Sequence, residues 1–189
     1  MTEKYQNKYR IASARLPGWD YGWNAAYFVT ICTHGRKHYF GDIVNEEMQL
    51  SDIGHLAHKY WSEIPNHFPF VELDVFVVMP NHVHGIVIIN KPNDECHDER
   101  YVETSNLGVS TLGVSATRMA SNAWQPGSLG VIINQYKRIC TINARKIHAD
   151  FAWQSRYYDH IIRNDESLCR IRNYIKNNPL KWMKDKFYE

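Results

Sequence analysis

Hydrophobic and polar positions follow two different periods along the chain, and each change of period marks a predicted element. Runs rich in β-branched and aromatic residues predict four strands, at 26–33, 71–79, 82–89 and 157–162. Apolar residues that recur every three or four positions predict three helices, whose apolar stripes lie within 53–64, 129–143 and 168–175, and the last of these helices opens at 164–166. Polar residues that precede the helices are the expected caps: Ser51, Ser128 and Asn164. Pro179 is expected to stop the last helix.

The predicted order is strand, helix, strand, strand, helix, strand and a final helix. The first six elements have the order of a ferredoxin-like split βαβ sandwich, an α+β fold with an antiparallel sheet. In that fold two helices cover one face of the sheet, which leaves the other face for the added C-terminal helix or a ligand. We expect a single domain over 1–189, because this length is enough for one sizeable core.

Two segments do not follow either period. Residues 1–24 combine basic and aromatic side chains without core periodicity, and we interpret them as an irregular arm. Residues 91–125 are polar and repeat the tetrapeptide Leu-Gly-Val-Ser once, which is too short a duplication for a solenoid. We interpret this second segment as a long, mobile loop.

Composition narrows the classes of protein and of partner. Hydrophobic residues make up 44% of the chain, which is typical of a globular protein, and the formal net charge is only +2. A nucleic-acid surface would therefore need local clusters of basic residues. The sequence has no apolar run of membrane-spanning length, no apolar core of a signal peptide at its start, and four scattered cysteines. These features predict a cytoplasmic protein with reduced thiols and no membrane partner.

Two histidines, His82 and His84, flank one apolar residue at the start of the third predicted strand. Side chains of a strand alternate between its faces, so both imidazoles must point the same way and can converge on one ion. An isolated pair of this kind is also compatible with two half-buried polar side chains. Their position just past the turn at 80–81, where a site can open to substrate, favours the metal interpretation.

A phenol and a carboxamide, those of Tyr174 and Asn178, lie four positions apart on the last predicted helix. This spacing places them on one helix face. Simple packing for the tyrosine and a helix-end role for the asparagine are the alternatives. Tyr136 competes as the reactive tyrosine, but it lies within an apolar stripe and has Cys140 one turn further on. His160, in the fourth strand, is interpreted as a packed strand histidine.

Together these segments resemble the single-tyrosine HUH transposases, named for their histidine–hydrophobic–histidine motif. The sequence Met-Pro-Asn-His-Val-His-Gly at 79–85 resembles that motif, and Tyr-Ile-Lys-Asn-Asn-Pro at 174–179 resembles the nucleophile helix. Segments 26–33 and 153–160 agree in the same order, and Arg-Leu-Pro-Gly-Trp-Asp-Tyr at 15–21 resembles the branch of REP-associated tyrosine transposases. The resemblance covers nearly the whole chain.

The resemblance implies a fold, a reaction and a set of site residues. It implies a ferredoxin-like nuclease fold whose added C-terminal helix carries the nucleophile, and which acts on single-stranded DNA at or near hairpins. Tyr174 would be the nucleophile and would form a 5′-phosphotyrosine. His82, His84 and Asn178 would hold a divalent metal, Mg²⁺ or Mn²⁺. The expected location is the cytoplasm, in association with the nucleoid, and both a monomer and a homodimer remain open.

Candidate DNA contacts are basic and aromatic side chains in the arm and on the second helix, because unpaired bases stack well on aromatic rings. Those in the arm are Arg10, Arg15, Trp19 and Tyr21, and those on the helix are Lys137, Arg138, Arg145 and Lys146. A solvated helix face and an arm packed on the core are the alternatives. The rival function is a non-catalytic ferredoxin-like module that binds single-stranded DNA or RNA.

Overall fold

A computed structural model describes residues 16–92 and 126–188. The six strands are β1 (Ala25–Cys32), β2 (Gly41–Val44), β3 (Glu47–Leu50), β4 (Val71–Met79), β5 (His82–Ile89) and β6 (Tyr158–Ile162). The four α-helices are α1 (Asp52–Ser62), α2 (Ile64–His67), α3 (Leu129–Ala144) and α4 (Asp165–Lys176). Within the described residues, two short 3-10 helices cover His34–Arg36 and Pro179–Lys184.

The main sheet has four strands in the order β4-β5-β1-β6, and every neighbouring pair is antiparallel. Strands β4 and β5 form the predicted hairpin, with Met79 opposite His82 and the turn at residues 80 and 81. The sheet order and the alternation of strands with α1 and α3 confirm the α+β, ferredoxin-like split βαβ sandwich. The site histidines therefore lie on β5, one of the two central strands.

The two faces of the sheet bury different sets of residues. Helices α1 and α3 cover one face, where Trp61 and Tyr136 pack with Val83 and Val87 in the larger hydrophobic cluster. Helix α4 covers the other face, and its Ile175 packs with residues of the sheet in a smaller hydrophobic cluster. The histidines share the face of α4, because they alternate along β5 with the residues that face α1 and α3.

Gly85 marks a close approach between β5 and α1. A Cβ atom at this position would overlap the ring of Trp61 and lie 3.0 Å from the Cβ of Phe76. Only a glycine lets the indole, which is fully buried, pack directly on the strand. The residue before it, His84, points to the opposite face.

Two of the three expected caps form, and one does not. The hydroxyl of Ser51 accepts a hydrogen bond from the Gly54 amide at 3.1 Å, and the Asn164 side chain accepts one from the Ser167 amide at 2.8 Å. Ser128 occupies the cap position of α3 but makes no side-chain cap bond.

The β2–β3 hairpin was not predicted from the sequence. Its strands have only four residues each, and its turn residues Asn45 and Glu46 both have positive φ angles, 51° and 65°. The usual sequence signal for such a turn is an asparagine followed by a glycine, and this chain has a glutamate where that glycine would stand.

Parts of two predicted segments lie outside the described residues. The structure describes only 16–24 of the arm and only 91 and 92 of the predicted loop at 91–125. Among the helices of the described ranges, none combines the length and the apolar character that a bilayer crossing requires.

Candidate active site

The two histidines of the motif lie side by side at the start of β5. His82 is 0% exposed and His84 is 1% exposed, and their ring centroids are 4.4 Å apart. On the neighbouring strand β1 they stand opposite Cys32 and Thr30. Burial of two polar rings in one place is costly unless their nitrogens have partners.

Asn81 orients the ring of His82. Its Oδ1 lies 2.8 Å from His82 Nδ1, while its Nδ2 donates to the backbone carbonyls of Arg36 at 3.2 Å and Phe187 at 2.7 Å. Because an amide oxygen can only accept, the proton of the neutral imidazole lies on Nδ1. The lone pair of Nε2 is therefore left for another partner.

Thr30 and Tyr174 bracket the ring of His84. Nδ1 lies 2.8 Å from the Thr30 hydroxyl, and Nε2 lies 3.2 Å from the Tyr174 hydroxyl. With its proton on Nδ1, the ring donates to Thr30 and accepts from Tyr174 through Nε2. This tautomer is the one that leaves Nε2 able to bind a metal ion.

The end of α4 brings Tyr174 and Asn178 to the histidines. Tyr174 is 40% exposed, whereas Asn178, just beyond the helix, is 1% exposed. The amide nitrogen of Asn178 donates to Asp185 Oδ2 at 3.1 Å. The structure thus brings together the four side chains that the sequence singled out, those of His82, His84, Tyr174 and Asn178.

Two atoms at this site lack hydrogen-bond partners. Among the described residues, three buried side-chain nitrogen or oxygen atoms have no partner: Trp61 Nε1, His82 Nε2 and Asn178 Oδ1. Such atoms are rare in folded proteins, and each one needs an explanation. Two of the three belong to the side chains expected to hold a metal ion.

The C-terminal segment, residues 185–188, folds back over the histidines. The potential ligand atoms of Asp185, His82 and His84 all lie within 4.8 Å of one another, so this group could hold a metal ion. The Phe187 ring lies 4.6 Å from the His82 ring, and Arg36 donates to the Lys186 carbonyl at 2.9 Å. Sequence reasoning missed Asp185, because no spacing rule shows that the chain returns after Pro179.

Comparison with known proteins identifies relatives of the chain. No protein-family model matches the sequence. Over 191 residues, the chain is 37% identical to an uncharacterized protein of Haemophilus influenzae, and the alignment covers 100% of this chain and 99% of that protein. A second protein of that organism, named a candidate REP-associated tyrosine transposase, is 26% identical over 163 residues, or 86% of this chain and 74% of that protein.

One solved structure has the same fold. It is a REP-associated tyrosine transposase bound to a REP hairpin, with a TM-score of 0.56 and 16% identity, and the match covers 90% of this chain and 74% of that chain. The chain is thus similar to REP-associated tyrosine transposases in sequence and in fold. This relationship confirms the resemblance found in the sequence and supports a transposase function.

The protein environment keeps both histidines neutral. Burial lowers the pKa of His82 to about 3, with Lys186 and Arg36 adding to the effect. Burial, followed by the neighbouring His82, lowers the pKa of His84 well below its usual value. A neutral imidazole is the form that binds metal ions.

The two candidate tyrosines, Tyr174 and Tyr136, lie in different environments. Burial and the Asp185 carboxylate raise the pKa of Tyr174 to about 12, so its phenol needs a nearby cation to lose its proton. Tyr136 is 2% exposed, donates to the Ala57 carbonyl at 3.2 Å and packs on Trp61. Tyr136 therefore lies in the core on the far side of the sheet from the histidines.

The expected DNA contacts of the arm are only partly described. Arg10 and Arg15 lie outside the described residues. Trp19 donates through its indole nitrogen to the Tyr27 hydroxyl at 3.2 Å, and Tyr21 is 8% exposed with its ring stacked on Tyr27. Residues 19–21 thus pack on the core, and Tyr21 exposes only a small part of its surface.

The expected basic contacts of α3 lie across the sheet from the histidines. Lys137 donates to the Gln154 carbonyl at 2.6 Å, and burial lowers its pKa. Arg145 donates to the Phe151 carbonyl at 3.0 Å, and Lys146 donates to the Asn143 side chain at 3.0 Å. Arg138 is exposed. DNA that contacts this helix would have to extend around the edge of the sheet to reach Tyr174.

Proposed function

We propose that this protein is a metal-dependent transposase and nuclease that cleaves and rejoins single-stranded DNA, at hairpin-containing sites, through a 5′-phosphotyrosine. The observation that carries the proposal is the convergence of one exposed phenol with the unpartnered His82 Nε2 and Asn178 Oδ1. A site built only for packing would not leave two buried polar atoms without partners.

The side chains fit a divalent metal ion. His82, His84 and Asn178 would hold it, and Asp185 is within reach as a further ligand. Two imidazole nitrogens with amide and carboxylate oxygens form a donor set that suits Mn²⁺ or Mg²⁺ rather than a closed structural zinc site. When bound, the ion would polarise a non-bridging oxygen of the scissile phosphate.

Tyr174 performs the covalent chemistry in this proposal. Its phenol oxygen forms a bond to phosphorus as the bond between phosphorus and the 3′-oxygen breaks, and the freed 3′-oxygen takes up a proton. The phenolic proton leaves to water or to Asp185, whose Oδ2 lies 3.5 Å from the hydroxyl. The products are a 5′-phosphotyrosine and a free 3′-hydroxyl.

The covalent intermediate explains how rejoining proceeds without a nucleotide cofactor. A 3′-hydroxyl attacks the phosphotyrosine, a new phosphodiester bond forms, and the phenol regains its proton. The number of phosphoester bonds is conserved over the two steps, so no ATP is needed.

Hairpin DNA as the substrate is supported by the relative of known structure, which is bound to a REP hairpin. The test incubates the protein with hairpin-bearing single-stranded DNA and Mn²⁺, followed by a denaturing gel. We expect a covalent protein–DNA band that requires Mn²⁺ and is absent in the Tyr174→Phe variant. A hairpin-dependent shift on a native gel without any covalent band would instead favour the non-catalytic binding module.

A further inference from the structure

A cleft of about 580 Å³ runs along the outer edge of β6, the last strand of the sheet. It is lined by Tyr158 and His160 of β6, by Arg163 between β6 and α4, and by Ser167 and Arg170 of α4. We propose that this cleft, called the β6 edge cleft below, binds the single-stranded DNA that leads to Tyr174, with one base stacked on Tyr158. The proposal rests on the proposed function and adds the path of the substrate.

The cleft begins next to the candidate active site. In the register of the sheet, Thr30 pairs with His84 on one side and with Tyr158 on the other, so all three share one face. The ring of Phe28 lies edge-on between two tyrosines, 6.1 Å from Tyr174 and 6.3 Å from Tyr158. A DNA strand whose scissile phosphate lies at Tyr174 would therefore meet Tyr158 as the next aromatic side chain along the sheet.

Tyr158 has the properties of a stacking platform. Its side chain is 51% exposed, which is unusual for a tyrosine on a packed sheet face. The ammonium of Lys186 lies 5.9 Å from the centre of its ring. A base can stack on such a ring, and an exposed lysine beside it can exchange this contact for one with a phosphate.

The cleft is lined by side chains of both charges, which suits a DNA strand with exposed bases better than a polyanion without bases. The exposed Arg170 can bind phosphate, and the exposed His160 can donate to it. Asp159 and Glu166 lie in the same cleft, and they would repel a simple polyanion. Carboxylates do accept hydrogen bonds from the amino groups of bases, so a lining of mixed charge suits a strand with its bases exposed.

Direct binding measurements test the cleft separately from the chemistry. The probes are a fluorescent oligothymidylate of twelve nucleotides and an abasic DNA strand of equal length. Each is added to the full-length protein in the presence of EDTA. Tyr158→Ala should weaken oligothymidylate binding by about fivefold or more, because stacking of a base on an aromatic ring is worth at least that much. Binding of the abasic strand should not change, and Tyr158→Trp should retain affinity for both strands.

Charge variants at two places give the matched comparison. Arg170→Gln should weaken binding of both strands and reduce the salt slope of affinity by about 0.7, as expected for the loss of one phosphate contact. Lys59→Gln removes one charge on α1, which covers the other face of the sheet, and should leave both affinities unchanged.

Two results would contradict the proposal that the β6 edge cleft binds DNA. One is wild-type affinity in Tyr158→Ala, and the other is equal effects of Arg170→Gln and Lys59→Gln. Because these measurements need neither metal nor Tyr174, they are independent of the covalent band. Absence of that band in the wild-type protein would contradict the proposed function and leave the binding result intact.

Discussion

The hydroxyl of Tyr174 lies 3.2 Å from Nε2 of His84, the nitrogen that would bind a metal ion. One lone pair cannot serve both partners. A metal ion on His84 therefore requires the tyrosine hydroxyl to leave this nitrogen, which also frees it to approach a phosphate. Under the proposed function, metal binding and release of the nucleophile would therefore be coupled at this site.

Replacing Tyr174 by Phe removes the hydroxyl and keeps the ring that packs near Phe28 and His84. We expect loss of the covalent protein–DNA band on a denaturing gel. The free energy of unfolding should change by only about 1 kcal/mol, because one partly exposed hydrogen bond is lost. The affinity for Mn²⁺ by titration calorimetry should not fall, because the hydroxyl no longer competes for His84.

The matched control is Tyr136→Phe. Its hydroxyl donates to the Ala57 carbonyl in the core, so this variant should lose about 1–3 kcal/mol of stability and retain the covalent band. Peptide mapping of the trapped adduct would identify the modified residue directly. An adduct on any residue other than Tyr174 refutes the assignment.

His82→Ala and His84→Ala should each abolish Mn²⁺-dependent cleavage. Both rings converge on one point, and removal of either leaves too few ligands for tight binding. The affinity for Mn²⁺ should fall about tenfold or more, whereas DNA binding should persist because phosphate contacts come mainly from basic groups. His55→Ala, an exposed position on α1, is the control and should resemble the wild type. Full cleavage in both site variants would end the metal interpretation.

Asn81 offers a test of how the His82 ring is oriented. Asn81→Asp keeps an oxygen that accepts from Nδ1–H but loses the donors to Arg36 and Phe187. If Asn81 acts through the tautomer of His82, Asn81→Asp should retain Mn²⁺ affinity at pH 8, and Asn81→Ala should lose about tenfold or more. Nitrogen chemical shifts of His82 report the tautomer directly. Equal losses in both variants would mean that Asn81 only anchors the C-terminal segment.

Asp185→Asn tests whether the carboxylate of the C-terminal segment is a metal ligand. Its oxygen and the two histidine nitrogens lie within 4.8 Å of one another, and an amide is a weaker ligand than a carboxylate. We expect Mn²⁺ affinity to fall about tenfold or more, while Asp42→Asn on β2 leaves it unchanged. Unchanged affinity in Asp185→Asn would restrict the ligands to His82, His84 and Asn178.

The buried His82 predicts a dependence of stability on pH in the metal-free protein. Its pKa is about 3 in the folded state and 6.5 when unperturbed, so the unfolded chain binds the proton more readily. The stability that comes from the neutral ring is complete above pH 6.5 and is lost as the pH falls towards 3. Between about pH 5.5 and 4 the contribution is up to about 1.4 kcal/mol per pH unit.

The variant His82→Gln isolates this contribution. Urea unfolding in EDTA should show a shallower decline of stability with falling pH for His82→Gln than for the wild type. Parallel curves for the two proteins over this range would show that the ring of His82 does not titrate as its burial implies.

The sequence predicted those features that depend on local periodicity. A period of two placed His82 and His84 on one face, and a spacing of four placed Tyr174 and Asn178 on one face of the helix end. Both relationships hold for any regular strand or helix, so they could be predicted without knowledge of the tertiary structure.

The features that the sequence did not reveal depend on contacts between distant parts of the chain. Asp185 reaches the histidines only because the chain turns back after the 3-10 helix at Pro179–Lys184. Thr30 meets His84 through the register of β1 and β5. His160 was expected to pack within the sheet and is instead exposed, because β6 is an edge strand.

The position of Gly85 has a consequence for genetics. Gly85 lies against the indole of Trp61 on one side of β5, and its neighbour in sequence, His84, points to the other side. A methyl group at position 85 would push the strand away from α1, and the histidine next to it would move with the backbone. A screen for alleles that have lost the proposed cleavage activity would therefore recover Gly85→Ala with the active-site alleles, although this residue faces the opposite side of the sheet from the histidines.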